Sequence, residues 1–334
     1  MGGIIYDGKI SKGLVCYEGR QVLLKFYQNI YVIYSSNLKI ITMKKTIFFL
    51  FMTVFSSNLF AQTMGKVSEG KLIKSAILNK DVRYTIYLPA GYETSERNYP
   101  VVYLLHGYSD DDTGWLQFGE INRYADKAIA DGTIPPMIIV MPDGGVSWYM
   151  NSYDGKEKYE DFFMKEFMPN IEKMYKIKAQ KKYRGIAGLS MGGFGSLNYA
   201  LKYPELFAAV APLSAAIWDD NAIETTPTAN WDRTLGQLFG KELKGKERLS
   251  TAWYDNSALK MVETKSVDDL KKVRYWIDCG DDDFLTKGNC LLHIAMTEKK
   301  IPHEFRVRDG GHTWDYWRTG IIPALEFIGK SFHQ

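Results

Sequence analysis

Gly188-Leu189-Ser190-Met191-Gly192 stands between an apolar run, Tyr183 to Leu189, and a stretch with helical spacing, Met191 to Tyr203. No other feature constrains the chain as strongly. A serine with a glycine two residues to either side, at a strand-to-helix junction, permits a turn sharp enough to lift the hydroxyl above the edge of a sheet. A dinucleotide-binding turn is excluded, because position 190 would have to be glycine.

Short apolar, β-branched or aromatic runs recur along the chain: Val82 to Leu88, Val101 to Leu105, Met137 to Met141, Tyr183 to Leu189, Ala208 to Leu213, Val273 to Cys279 and His303 to Val307. Helical spacing lies between them, most clearly from Tyr159 to Tyr175. Strands alternating with helices predict an α/β fold, a mainly parallel sheet covered on both faces. Val82 to Leu88 has only a short hairpin-like approach from Lys71 to Leu78, which predicts an antiparallel N-terminal edge. The region from Ala215 to about Lys265 is irregular and rich in Asp, Asn, Thr and Trp. An insertion of that size is a functional lid or a helical excursion, and Trp218, Trp231, Trp253 and Tyr254 make it aromatic.

The fold is expected to begin only after residue 61. Met43-Lys44-Lys45 is a basic head, Thr46 to Phe55 an apolar run, and Ser56 to Ala61 a polar segment ending in a small residue. These are the parts of a secretory signal peptide, with cleavage expected after Ala61. The apolar run is well short of the roughly 20 residues that cross a bilayer. Residues 1–42 are either an over-extended N-terminus or part of an unusual leader; MGGIIYDGKISKGLVCYEGR lacks a sustained period, which favours the first and leaves 62–334 as one domain, secreted or periplasmic and not membrane-anchored. The charge follows the same division. The chain has 42 Lys+Arg and 39 Asp+Glu, but residues 1–61 hold seven and two of them, so the remainder is acidic by two charges and no nucleic-acid partner is expected.

A serine hydroxyl is a weak nucleophile and needs a base. Of five histidines, His312 lies in Gly310-Gly311-His312, just past the last expected strand, where glycines let an imidazole reach the sheet edge. His293 falls in a helical stretch, His303 opens a strand and His333 is next to the C-terminus, so His312 is the expected base. A carboxylate must then fix its tautomer. Asp281, Asp282 and Asp283 follow the Val273 to Cys279 strand and are equivalent by composition; Asp309 is a rival close to His312 in sequence. The order Ser, Asp, His, each at a strand end, is that of α/β-hydrolases. Oxyanion donors are expected from the backbone amides of Met191 and of Tyr108, in the loop after Val101 to Leu105, with His106 bracing that loop.

The blocks LLHGYSDDDTGW, MPDGGVSWYMNS, YEDFFMKEFMPNIEKMY, GIAGLSMGGFGS, IDCGDDDFL and RDGGHTWDYWR together resemble the esterase D-like family of α/β-hydrolases over nearly all of residues 70–330. Feruloyl esterases, acetylxylan esterases, S-formylglutathione hydrolases and mycolyl transferases belong to that family. The resemblance implies Ser190 as nucleophile, His312 as base and Asp283 as the acid, with the oxyanion donors on Tyr108 and Met191. It implies hydrolysis of a carboxylic ester through an acyl-Ser190 intermediate. With export, the expected substrate is feruloylated or acetylated plant polysaccharide, with Trp115, Trp148, Tyr149 and Trp218 as candidate stacking residues. Thioester or siderophore-ester hydrolysis, acyl transfer, and a catalytically silent glycan-binding protein are the rival readings. No cofactor or metal is expected; Asp110-Asp111-Asp112 lacks calcium-loop spacing and is read as a solvated loop, and Cys279 and Cys290 as small buried residues.

Overall fold

The computed structural model of the protein describes residues 64–333. The expected leader at 43–61, the segment 1–42 and Cys16 lie outside the described residues. No described helix is long and apolar enough to cross a membrane.

Eight strands form one sheet: β1 (Lys66–Ser75), β2 (Lys80–Leu88), β3 (Val101–Leu105), β4 (Ile138–Pro142), β5 (Arg184–Leu189), β6 (Ala209–Leu213), β7 (Arg274–Gly280) and β8 (His303–Arg308). Their spatial order is β1-β2-β4-β3-β5-β6-β7-β8. β1 pairs antiparallel with β2, and β2 with β4; every later pairing is parallel. The antiparallel edge differs from its expected position. β1 starts before Lys71 and stops at Ser75, because the Glu166 carboxylate takes the Ser75 hydroxyl and the amides of Ala76 and Ile77 and turns the chain there.

The central strands read as unbroken apolar runs because both faces are covered. Val101, Tyr103 and Leu105 of β3 feed one core, which also holds Ile138 and Val140 of β4. Val102, Leu104, Ile139 and Met141 feed the other. Four long helices cover the sheet: α1 (Ile121–Ala130), α2 (Met191–Lys202), α3 (Thr286–Glu298) and α4 (Trp314–Ser331). Another helix, expected unbroken over Tyr159 to Tyr175, is divided into Tyr159–Phe162, a π-helical turn Phe163–Phe167, and Met168–Met174. Pro169 has no amide hydrogen to close on the Lys165 carbonyl, so the register shifts there.

The region after β6 is a helical excursion of short elements, among them Asp220–Thr225, Thr228–Thr234, Thr251–Tyr254 and Ala258–Thr264. Arg248 at its centre is 1% exposed. Its guanidinium donates to the carbonyls of Leu243 (2.8 Å), Ile223 (2.9 Å) and Thr226 (2.5 Å) and lies over the Trp231 ring.

Candidate active site

β5 enters Ser190 and α2 leaves it. At Ser190 the backbone adopts φ 54° and ψ −113°, a conformation that costs an ordinary residue energy and persists only where its surroundings fix it. Its amide donates to the Leu213 carbonyl at the end of β6, and its carbonyl accepts from Phe194 and Ala216. The flanking glycines are required by space: a Cβ on Gly188 would sit 2.5 Å from the Gly192 carbonyl oxygen, and one on Gly192 would strike the Leu105 carbonyl.

His312, four residues past β8, places Nε2 2.9 Å from Ser190 Oγ. Its Nδ1 lies 2.8 Å from Asp283 Oδ2. The other Asp283 oxygen accepts the Leu285 amide at 2.9 Å. Burial pushes the Asp283 carboxyl up, but the His312 ring, the Leu285 amide and the Ser214 hydroxyl outweigh it and hold it below the ordinary carboxylate range. The three consecutive aspartates thus separate. Asp283 is 4% exposed and faces His312, Asp281 accepts the Gly310 amide of the histidine loop, and Asp282 is exposed. Asp281, Asp282 and Asp309 form an exposed acidic cluster beside this loop.

The loop after β3 is held by His106, which is 1% exposed. Its Nε2 accepts the Gly144 amide at 2.8 Å, which puts the ring proton on Nδ1, where it is donated to the Gly107 carbonyl at 2.7 Å. Burial holds this ring below the usual histidine range, in keeping with the neutral form. Because a peptide's C=O and N–H point in opposite directions, fixing the Gly107 carbonyl also fixes the Tyr108 amide. Among the described residues the amides of Tyr108 and Met191 donate to no protein acceptor. They are therefore available to an oxygen above Ser190.

The expected stacking residues fare differently. Trp115 is 1% exposed, with its indole N–H on the Leu105 carbonyl; it packs the core beneath Trp314 and has no face for a ligand. Tyr149, also 1% exposed, spends its hydroxyl on the backbone amide and carbonyl of His106. Trp148 is buried, with its N–H on the Thr234 carbonyl. These three are packing residues, and aromatic residue type alone carried no information on exposure. Trp218 is half-buried, tilted against Trp148 and Trp253. It borders a niche with Phe194, Ala216, Ile217 and Ala258 that leaves about 10 Å³ open, room for roughly one water-sized group. A larger cleft of about 1000 Å³, bounded by Arg83, Gly144, Tyr153 and Leu238, is lined by none of Ser190, Asp283 and His312.

Two further positions near the site are not singled out by the residue pattern. Ser214 is fully buried with φ 44°; it receives the Trp317 indole N–H at 3.0 Å and supports Asp283. Phe284 is 76% exposed, its ring centroid 4.5 Å from that of His312. The one available signal for Phe284 was its position directly after the acid. The Asp110 to Asp112 run is not simply solvated: Asp112 is buried, bound by Thr85 and Arg83. Cys279 and Cys290 are free thiols; Cys279 is buried, which pushes its thiol up to about 12, whereas Cys290 is only half-buried.

Comparison with known proteins gives a consistent picture. The model of a family described as "Putative esterase" matches residues 75–328. An esterase of Mycobacterium tuberculosis is 32% identical over 263 residues, covering 72% of this chain and 55% of its own, so the chain spans about half the length of that relative. An acetyl esterase of Caldicellulosiruptor saccharolyticus is 26% identical over 246 residues, 71% of this chain and 86% of its own. Among solved structures, a ferulic acid esterase superposes with a TM-score of 0.70 at 35% identity, covering 81% of this chain and 99% of its own. An S-formylglutathione hydrolase of Staphylococcus aureus, with a TM-score of 0.65 and 22% identity over 79% of this chain and 99% of its own, shares the α/β-hydrolase fold.

Proposed function

The chain belongs to the esterase family matched over residues 75–328, and on that premise we propose that it is a serine esterase that removes acyl groups from plant polysaccharide through an acyl-Ser190 intermediate. The observation that carries this reading is the continuous Ser190, His312, Asp283 hydrogen-bond chain at the C-terminal edge of the sheet.

Ser190 Oγ attacks the ester carbonyl while His312 Nε2 takes its proton. Asp283 keeps the Nδ1 proton in place and stabilises the imidazolium. The tetrahedral oxyanion accepts the amides of Tyr108 and Met191, which are held ready by His106 and by the start of α2. As the acyl–oxygen bond breaks, the imidazolium returns its proton to the alcohol oxygen and the alcohol leaves. Water, deprotonated by His312, then attacks the acyl carbon; as the acyl–Oγ bond breaks, the imidazolium returns its proton to Ser190 Oγ and the acid leaves.

For the acyl group, the ferulic acid esterase likeness at 35% identity favours a feruloyl ester. The likeness to an acetyl esterase, 26% identical over 246 residues, favours acetyl as the second reading. Fluorophosphonate labelling that is lost in Ser190→Ala is the expected result for the mechanism; equal labelling of both proteins overturns it. Turnover of methyl ferulate, acetylated xylan and a short-chain aryl ester separates the substrate readings, and equal weak rates on all three count against a dedicated polysaccharide esterase. Export rests on the composition of residues 43–61; N-terminal sequencing of the secreted product is expected to begin at Gln62, and a retained Met43 would refute cleavage.

A further inference from the structure

We propose that Phe284, packed on the His312 ring, and the Trp314 and Phe118 pair, linked to His312 through buried Trp317, bind a neutral saccharide as the alcohol half of the ester. The inference rests on the esterase reading above.

Phe284 directly follows Asp283 and covers one side of the His312 ring, with most of its own surface open to solvent. Buried Trp317 also meets His312 edge-on, at 4.8 Å, and half-buried Trp314 meets Trp317 edge-on at 5.4 Å. Phe118 lies against Trp314 at 5.7 Å and is 50% exposed. Buried Trp115 meets Trp314 edge-on at 5.3 Å from beneath and fixes its orientation. Aromatic surface therefore reaches solvent at Phe284, against the proposed base, and at Phe118 and Trp314, where the packing of Trp115 and Trp317 orders the Trp314 ring before any ligand arrives and reduces the ordering cost of binding.

The chemistry of the site assigns this surface to the alcohol. His312 Nε2, 2.9 Å from Ser190 Oγ, must pass its proton to the departing oxygen, so that oxygen lies beside the imidazole. Whatever the oxygen carries extends over the neighbouring rings, while the acyl carbon stays bonded to Ser190. A methyl group is too small to reach them. A sugar presents C–H faces to the rings and leaves its hydroxyls in water. The exposed carboxylates of Asp281, Asp282 and Asp309, on the loops that carry Phe284 and His312, repel an anionic polymer and leave a neutral one.

The test reads a ratio: kcat/KM for a feruloylated arabinoxylo-oligosaccharide over kcat/KM for methyl ferulate, with acetylated xylo-oligosaccharide over ethyl acetate as the parallel pair. Wild-type protein is expected to favour the sugar ester in at least one pair. Phe284→Ala is expected to lower that ratio about two- to tenfold, the range that one aromatic contact supplies, and Phe284→Trp to restore it. Phe118→Ala is expected to cause a loss that grows with oligosaccharide length. If Phe284→Ala slows both esters of a pair equally, the ring only props His312 and the saccharide site is wrong. Failure of Phe284→Trp to restore the ratio, or a wild-type protein that hydrolyses both esters without preferring the sugar, also overturns it while leaving the esterase reading intact. If no ester is hydrolysed at all, the esterase reading fails and the saccharide site fails with it.

Discussion

Asp281, Asp282 and Asp283 are chemically identical, yet only Asp283 has its carboxylate on His312. The separation follows from the turn after β7: the Asp283 amide bonds back to the Gly280 carbonyl and swings this side chain under the histidine loop, while Asp281 is drawn to Gly310. Asp283→Asn is accordingly expected to lower kcat by about 10⁴, since the amide favours the wrong imidazole tautomer. Asp281→Asn, which keeps an acceptor for the Gly310 amide, is expected to stay within a few-fold of wild type. Steady-state kinetics on a short-chain ester checks both, and equal losses in the two variants would count against the assignment. This distinction was not legible in the composition of the loop; it came from the resemblance of the whole block and from the geometry. Ser190 and His312 were legible because glycines beside a functional residue at a strand end leave few other conformations. The aromatic assignments were not, because whether a tryptophan meets a ligand or the core depends on what packs above it, as Trp115 beneath Trp314 illustrates.

At the scale of elements, the strands buried on both faces were readable as apolar runs, whereas β1, an edge strand studded with Lys and Glu, was readable only in part. β8 is the opposite edge, and two interactions hold it in place. Arg308 forms a two-bonded pair with the fully buried Asp278 of β7, at 2.8 and 2.9 Å, and lies over the Tyr316 ring of α4. Removing the guanidinium leaves a buried carboxylate without a partner. Arg308→Met is expected to cost about 3 kcal/mol in urea unfolding, at constant m-value. At the other end of the strand His303 Nδ1 donates to the Ile301 carbonyl, so its Nε2 accepts from His293 Nδ1 of α3 at 2.7 Å. Burial, and then the neighbouring His303, lower the affinity of His293 for protons. The unfolded chain therefore binds a proton more readily as pH falls below about 6.5, and folded stability drops through that window. His293→Gln is expected to flatten the fall in Tm between pH 7.5 and 5.5; an unaltered slope would show that the pair does not contribute to acid sensitivity.

For the molecule as a whole, the open question from the sequence was whether the region from Ala215 to Lys265 is a lid or a structural excursion. The bonds that leave it favour the second. Tyr108 OH donates to the Arg233 carbonyl, Trp148 Nε1 to Thr234, and the Tyr153 amide to Leu238, tying the excursion to the loops after β3 and β4. Asn198 of α2 donates to Asn256, and Lys299 caps the carbonyls of Val262, Glu263 and Lys265. Anchors on so many elements oppose a hinged opening, and the aromatic wall that includes Trp218 and Trp253 is then a fixed boundary of the niche it lines. Arg248 joins the excursion internally, so its loss should loosen this region first. Arg248→Ala strips donors from three carbonyls and a cation from the Trp231 face, which is expected to cost about 2–4 kcal/mol. Limited proteolysis is expected to cut first within residues 220–265 in this variant, and the protein that remains folded should hydrolyse a short-chain ester within about threefold of wild type, because the strand ends that carry Ser190, Asp283 and His312 belong to the body of the sheet. A large loss of kcat without any new cleavage there would instead show that the excursion shapes the reacting geometry directly.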